Sequence, residues 1–101
     1  MSYEMLVGLN VSNDAIYDQY RAAMKPLLNR YHGGFRHDFR IKEVLKTEAT
    51  HNINRVFTIY FPDETAMTAF FSDGEYKAIK KQYFEASVLN TSILAAYQRP
   101  N

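Results

Sequence analysis

One histidine in this sequence has a position suited to acid or base chemistry. His37 falls between Phe35 and Phe39 on the mostly apolar side of a predicted strand. An imidazole on that side would face either the cleft between a sheet and its helices or the core of a dimer, where burial would tune its protonation. The alternative is a core histidine that is hydrogen-bonded to a backbone carbonyl.

The other two histidines, His32 and His51, fall in a helix cap and a loop. Metal-binding pairs on one helix commonly follow a spacing such as H-x₃-H, which this sequence lacks. We therefore expect no metal site and treat these side chains as solvated or hydrogen-bonded.

A group of charged residues could position a small anion or carbonyl compound. Asp38, Arg40 and Glu43 lie along one predicted edge strand, and Arg55 begins the next strand. If the chain binds a ligand, we expect Arg40 and Arg55 to hold its anionic group. Charged edge strands also occur as solvated surfaces that block edge pairing, so this alternative stays open.

Tyrosine hydroxyls form a third candidate group, because a pocket between helices and sheet would be lined by some of them. We expect Tyr20 or Tyr60 to donate a hydrogen bond to a ligand. The tyrosines at the border of the predicted core are Tyr17, Tyr20, Tyr60, Tyr76 and Tyr83. Without a ligand, they would be packing residues with solvated hydroxyls.

The composition argues against several classes of function. Among 101 residues, 12 basic and 11 acidic side chains leave a net charge of +1, which provides no basic surface for nucleic acid. The absence of cysteine excludes disulfides, a thiolate nucleophile and cysteine-bound zinc. Phosphate-loop and dinucleotide motifs are also absent, so we expect no cofactor. No apolar run reaches the roughly 18 residues of a membrane span, and we expect a cytoplasmic protein.

Four segments have strand patterns. Alternating apolar residues over 3–11 predict the first strand, and apolar residues that alternate with charged ones over 35–42 predict a half-exposed edge strand. Residues 55–61 and 88–97 are apolar on both faces. The former should be a central strand that is buried on both sides.

Two helical regions separate these strands. Apolar residues at three- and four-residue steps over 16–31 predict a long helix, which Gly33-Gly34 should end in the left-handed conformation. Asp63 can cap the second helical region. Ser72 and Glu75 have the capping-box spacing where that region breaks and restarts.

The order strand, helix, strand, strand, helix, strand is the ferredoxin-like βαββαβ pattern. It predicts one α+β domain over residues 1–101, with a four-stranded antiparallel sheet and two helices on one face. Because two strands are apolar on both faces, the sheet face that the helices leave uncovered, here called the open face, should bind a second copy of the chain. The alternative is that bulky side chains of the same chain cover it.

Three segments resemble a known family. Gly33-Gly34-Phe35 after a tyrosine-bearing helix, Phe61-Pro62-Asp63, and the Ser-x-x-Glu-Tyr stretch within residues 70–80 are similar to the domain of unknown function 1330 family, of the dimeric α+β barrel superfamily. The resemblance implies a homodimer whose sheets form a barrel, and no established activity. Members often carry an arginine about where Tyr83 stands. Relatives in the superfamily include monooxygenases, isomerases, haem-degrading enzymes and binding proteins, and the tryptophan that the haem degraders share is missing here.

These observations predict a small homodimer that binds an aromatic or carbonyl metabolite in a cleft between helices and sheet, with His37 as the acid or base if the ligand is turned over. One alternative is a non-catalytic ligand-binding or structural module. Another is a cofactor-independent monooxygenase or isomerase-like enzyme. A pocket with convergent polar groups around His37 would favour an enzyme or a ligand binder, whereas a filled seam would favour a structural module.

Overall fold

A computed structural model describes residues 1–100, and Asn101, the last residue of the predicted domain, lies outside them. Strands and helices follow in the predicted order, with the second helical region divided into short pieces. The elements are β1 (Ser2–Val11), α1 (Asp14–Arg30), β2 (Gly34–Arg40), β3 (Arg55–Phe61), α2 (Glu64–Ser72), α3 (Gly74–Ile79), a π-helical turn (Lys80–Phe84), α4 (Glu85–Ser87) and β4 (Val88–Arg99).

The four strands form one antiparallel sheet in the order β2-β3-β1-β4. This arrangement confirms the ferredoxin-like α+β fold, with β3 in a central position and β2 at an edge. The last strand continues to Arg99, two residues beyond the predicted segment. Within residues 1–100, no helix is both long and apolar enough to cross a bilayer.

The core lies between the sheet and the helices. Alternate residues of β1 and β3 point to the helices, as the apolar alternation predicted, and pack against one face of α1. Phe70 of α2 and Tyr76 of α3 complete this layer. The buried residues that the strands and α1 contribute are Met5, Val7, Leu9, Val11, Phe57, Ile59, Phe61, Tyr17, Tyr20, Met24, Leu27 and Leu28.

Side-chain caps fix where the second helical region begins and restarts. Asp63 accepts a hydrogen bond from the Ala66 amide at 2.8 Å, as predicted. At the restart, however, the cap of α3 is Asp73, whose carboxylate accepts from the Glu75 amide at 2.8 Å. The predicted Ser72 cap is wrong because Ser72 still belongs to the last turn of α2.

The end of α1 also differs from the prediction. The residue with left-handed backbone is His32, with φ of 60°, and neither Gly33 nor Gly34 has positive φ. These glycines are needed for space. A Cβ on Gly33 would lie 2.9 Å from the Tyr60 carbonyl oxygen, and one on Gly34 would lie 2.7 Å from the Tyr60 hydroxyl.

A bulge in β2 divides the residues that the sequence placed on one face. Phe35 pairs with Ile59 and points to the helices, whereas His37 pairs with Thr58, which leaves Arg36 as an extra residue. His37 therefore lies on the open face, together with Phe39 two positions on.

Polar contacts hold Arg36 on the open face. The Arg36 guanidinium donates to the Glu4 carboxylate at 2.6 Å and covers the Tyr60 ring, 4.1 Å from its centroid. Glu4, whose side chain is 3% exposed, also accepts hydrogen bonds from Arg99 and Tyr97. The bulge thus leaves two consecutive residues, Arg36 and His37, on the open face, with Arg36 beside the buried carboxylate that it pairs with.

The open face is partly covered by the chain itself. The loop between β2 and β3 carries Ile53 over Gly8, where an added Cβ would meet the Ile53 side chain at 3.1 Å. Beyond this cover, Phe39 and Leu94 are 55% and 44% exposed. An apolar patch therefore remains on this face, level with Gly8 of β1.

Candidate functional site

A cavity of about 210 Å³ lies between α1, the sheet and the part of the second helical region that runs from α2 to the π turn. The seam between helices and sheet is therefore not completely filled. Seven aromatic rings line the cavity: Tyr17, Tyr20, Phe35, Phe57, Phe71, Tyr76 and Phe84. Its charged lining residues are Arg21 and Lys80, and no acidic residue among positions 1–100 lines it.

Two tyrosines bring their hydroxyl groups together in this cavity. The hydroxyl oxygens of Tyr20 and Tyr76 are 2.9 Å apart, and each residue is 5% exposed. Burial raises the pKa of both phenols, so both remain protonated at neutral pH. Their shared bond uses one of two protons, and neither hydroxyl has another partner within the described chain. The pair therefore has one proton available for a ligand.

Arg21 forms part of the wall next to this pair. Its Nε donates to the Tyr17 hydroxyl at 2.8 Å, its Nη1 donates to Asp38 at 3.1 Å, and its guanidinium carbon lies 4.0 Å from the Phe35 ring centroid. Arg55 donates twice to the same Asp38 carboxylate, at 2.8 Å each. Although burial raises the pKa of Asp38, these two guanidiniums hold it below its usual range. The Asp38 carboxylate thus accepts hydrogen bonds from two arginines.

Lys80 is the second charged residue of the lining. It is exposed, begins the π-helical turn, and lies one helical turn after Tyr76. Among residues 1–100, no carboxylate lies within 4.0 Å of its ammonium group. Phe84, which ends the π turn, also lines the cavity. π-Helical turns are frequent at functional sites, and this one supplies two lining residues.

Of the five predicted site residues, Tyr20 lines the cavity. His37 lies on the open face, exposed, with its ring stacked on that of Phe39 at a centroid distance of 5.9 Å. Tyr60 lies on the same face beneath Arg36. His37 and Tyr60 are therefore on the side of the sheet that faces away from the cavity, and the structure does not join them to Tyr20. Their functional roles stay predictions.

Arg40 and Arg55 are opposite each other in the β2–β3 pair and share a shallow depression with Asp18 and Asp38. Arg55 is held by Asp38, and Arg40 lies 3.9 Å from an Asp14 oxygen. This depression is separate from the cavity, and the predicted Glu43 does not line it. An anion-binding role for the two arginines stays a prediction.

The sequence interpretation missed Arg21 and Lys80 as site residues. A signal for both was present, because each follows a cavity tyrosine by four positions: Tyr17 precedes Arg21, and Tyr76 precedes Lys80. No cluster of three or more histidine and acidic side chains suited to a metal ion occurs in the part of the chain that the structure describes.

Comparison with known proteins identifies the fold but no activity. A family model described as "Domain of unknown function (DUF1330)" matches residues 3–97, and no curated protein matches the chain. A protein of unknown function from Rhodopseudomonas palustris is similar in structure, with a TM-score of 0.81 at 15% identity over 99% of this chain and 83% of that one.

Two further solved structures have related folds. A dimeric protein of unknown function and ferredoxin-like fold from Bacteroides fragilis gives a TM-score of 0.62 at 11% identity, over 97% of this chain and 96% of its own. SnoaB, a cofactor-independent oxygenase from Streptomyces nogalater, gives a TM-score of 0.61 at 15% identity, over 97% of this chain and 95% of its own. At such identities, the similarity shows the fold alone.

Proposed function

The chain belongs to the DUF1330 family of unknown function, and we propose that it binds a small aromatic or carbonyl-containing molecule in the cavity between its helices and its sheet. The observation that carries this proposal is the Tyr20–Tyr76 pair, which offers one phenolic proton inside a mostly aromatic cavity. A buried donor of this kind fixes the orientation of an oxygen-bearing ligand.

The cavity volume limits the ligand to about one substituted ring. An apolar cavity of about 150 Å³ in another protein holds benzene, and this one has about 210 Å³. Aromatic walls favour an aromatic ring, because edge-to-face contacts add to the gain from burying apolar area.

The polar groups of the cavity favour binding over catalysis. Because burial raises the pKa of Tyr20 and Tyr76, they act as donors and not as bases at neutral pH. Arg21 already donates to Tyr17 and Asp38. An oxygenase or isomerase would need a base within reach of the ligand, and His37 lies on the other side of the sheet. We therefore favour a ligand-binding protein over an enzyme.

The proposal includes a homodimer that forms through the open face. Phe39 and Leu94 leave an apolar patch there, and the Bacteroides fragilis protein with a related fold is described as dimeric. A dimer of this kind leaves both cavities open, because the cavity lies on the helix side of the sheet. The cytoplasmic location of the protein stays a prediction.

Titration calorimetry with acetophenone, and with its saturated counterpart cyclohexyl methyl ketone, tests the binding function. We expect the aromatic ketone to bind more tightly. Thr91→Trp should abolish binding of both, because Thr91 is an exposed lining residue where added volume closes the opening without having to fit the core. Unchanged binding in this variant, or no binding by the unaltered protein, would refute the proposal.

The donor role is tested by replacing the tyrosines. Either Tyr20→Phe or Tyr76→Phe leaves one hydroxyl with its proton, so acetophenone should still bind. The double variant has no donor and should bind about five- to tenfold more weakly. Tyr83→Phe is the matched control, because Tyr83 lies in the same helical region but does not line the cavity.

A further inference from the structure

We propose that the ligand of this cavity is an aromatic carboxylate, whose carboxylate group is bound by the exposed Lys80 at the opening while its ring occupies the aromatic interior beside the Tyr20–Tyr76 pair. This inference rests on the proposed binding function and adds the charge of the ligand and the residue that recognises it.

The charge of the lining supports an anion. Arg21 and Lys80 are its two charged members, and no acid among positions 1–100 joins them. Arg21 is only partly neutralised, since Arg55 shares its Asp38 partner. Lys80 has no carboxylate within 4.0 Å in the described chain. The cavity therefore has a positive field that a carboxylate would complement and an ammonium group would not.

The positions of Tyr76 and Lys80 specify how the ligand is oriented. They are four residues apart, which places them on neighbouring turns of one helical face, and both line the cavity. The Tyr76 hydroxyl lies at the buried end of this face and Lys80 at its exposed end, so the ammonium group is the donor that a carboxylate near solvent would reach. Of the three lysines in this region, Lys77, Lys80 and Lys81, Lys80 alone lines the cavity.

The exposure of Lys80 is consistent with this role. A carboxylate at the opening keeps part of its hydration, whereas one among the interior aromatic rings would lose it. The ring has the opposite preference, because its transfer to the apolar interior is favourable. An aromatic acid is therefore oriented by the cavity with its charge outward.

Matched acid and amide pairs test this inference. The probes are benzoate with benzamide and phenylacetate with phenylacetamide, because each pair has nearly the same shape and differs in charge. At low ionic strength, we expect each acid to bind about tenfold more tightly than its amide. Added salt should reduce this difference. In Lys80→Gln, the acids should lose the advantage while the amides bind as before.

Lys81→Gln is the control, since Lys81 is the adjacent exposed lysine and does not line the cavity. Equal binding of acids and amides to the unaltered protein, or an acid advantage that survives in Lys80→Gln, would overturn the inference and leave the binding function intact. Failure of all four probes to bind, while acetophenone binds, would overturn the inference alone, and failure of acetophenone as well would overturn both. Melting temperatures of the two lysine variants should match the parent, because both side chains are exposed.

Discussion

The hydroxyl groups of Tyr20 and Tyr76 meet at 2.9 Å, although the residues are 56 positions apart in the chain. Tyr20 comes from α1 and Tyr76 from α3, so the bond joins the two helical regions above the sheet. The same contact that ties these regions together leaves a phenolic proton at the cavity. Stability and ligand binding therefore depend on this pair in different ways.

Each single substitution of Tyr20 or Tyr76 should lower the unfolding free energy by more than half of the loss that the double substitution causes. Tyr76→Phe leaves the Tyr20 hydroxyl buried without its partner, which should cost about 1 to 3 kcal/mol of unfolding free energy. Tyr20→Phe likewise leaves the Tyr76 hydroxyl buried without its partner, at a similar cost. The double variant leaves no orphaned hydroxyl, so its loss should be smaller than the sum of the two. Urea denaturation of the four proteins measures this coupling, and strictly additive losses would contradict it.

Protonation of Glu4 should destabilise the protein in acid. Burial raises its pKa, but hydrogen bonds from Tyr97, Arg99 and Arg36 outweigh this effect and hold the pKa below the ordinary value of 4.5. Because the folded pKa is depressed, the unfolded chain binds more protons in this range. The stability that the carboxylate provides is present above about pH 4.5 and is lost as the pH falls through the folded pKa.

Glu4→Gln tests this pH dependence. The variant should lose about 2 kcal/mol at neutral pH, since Arg36 and Arg99 lose their charged partner but still reach solvent. Its unfolding free energy should depend less on pH below 4.5 than that of the parent. Glu48→Gln, an exposed loop position without an ion pair among the described residues, should retain the parental dependence. An identical pH dependence in parent and Glu4→Gln would refute the role of Glu4.

Periodicity was sufficient to predict the fold, because the alternation in β1 and the helical spacing in α1 extend over many residues. It failed at β2, where one extra residue, Arg36, moves His37 from the face of Phe35 to the opposite one. A bulge leaves no mark in an alternating pattern, and the hydroxyl that accepts a hydrogen bond from the His37 amide, that of Thr58, lies in another strand. A site residue that is predicted from its face on a strand, such as His37, is therefore assigned to the wrong face when the strand has a bulge.

Gly33 should be more sensitive to alanine than Gly74. A Cβ on Gly33 would lie 2.6 Å from a Leu28 methyl carbon and 2.9 Å from a backbone oxygen, which cannot easily move. We expect Gly33→Ala to lower the unfolding free energy by about 2 kcal/mol. Gly74 begins α3 and has no atom within 4 Å of an added Cβ, so Gly74→Ala should be neutral or stabilise by about 0.5 kcal/mol. Equal effects of the two substitutions would contradict the packing role.

The homodimer can be tested with adjacent residues that lie on opposite faces of β4. Leu94 is at a register shift and approaches Gly8 on the open face, whereas Ile93 pairs with Val7 and lines the cavity. Both side chains are exposed, and replacing either one by aspartate introduces the same charge. Because a face-to-face dimer would bury Leu94, Leu94→Asp places an unpaired charge in the interface.

Light scattering coupled to size exclusion should give the parent about twice the 11.8 kDa mass of the chain. Leu94→Asp should shift it towards the monomer mass, with a dissociation constant at least tenfold higher, while Ile93→Asp should remain dimeric. A monomeric parent would refute the dimer. A dimer that tolerates Leu94→Asp but dissociates in Ile93→Asp would place the interface on the helix side, where it would close the cavity that the ligand is proposed to enter.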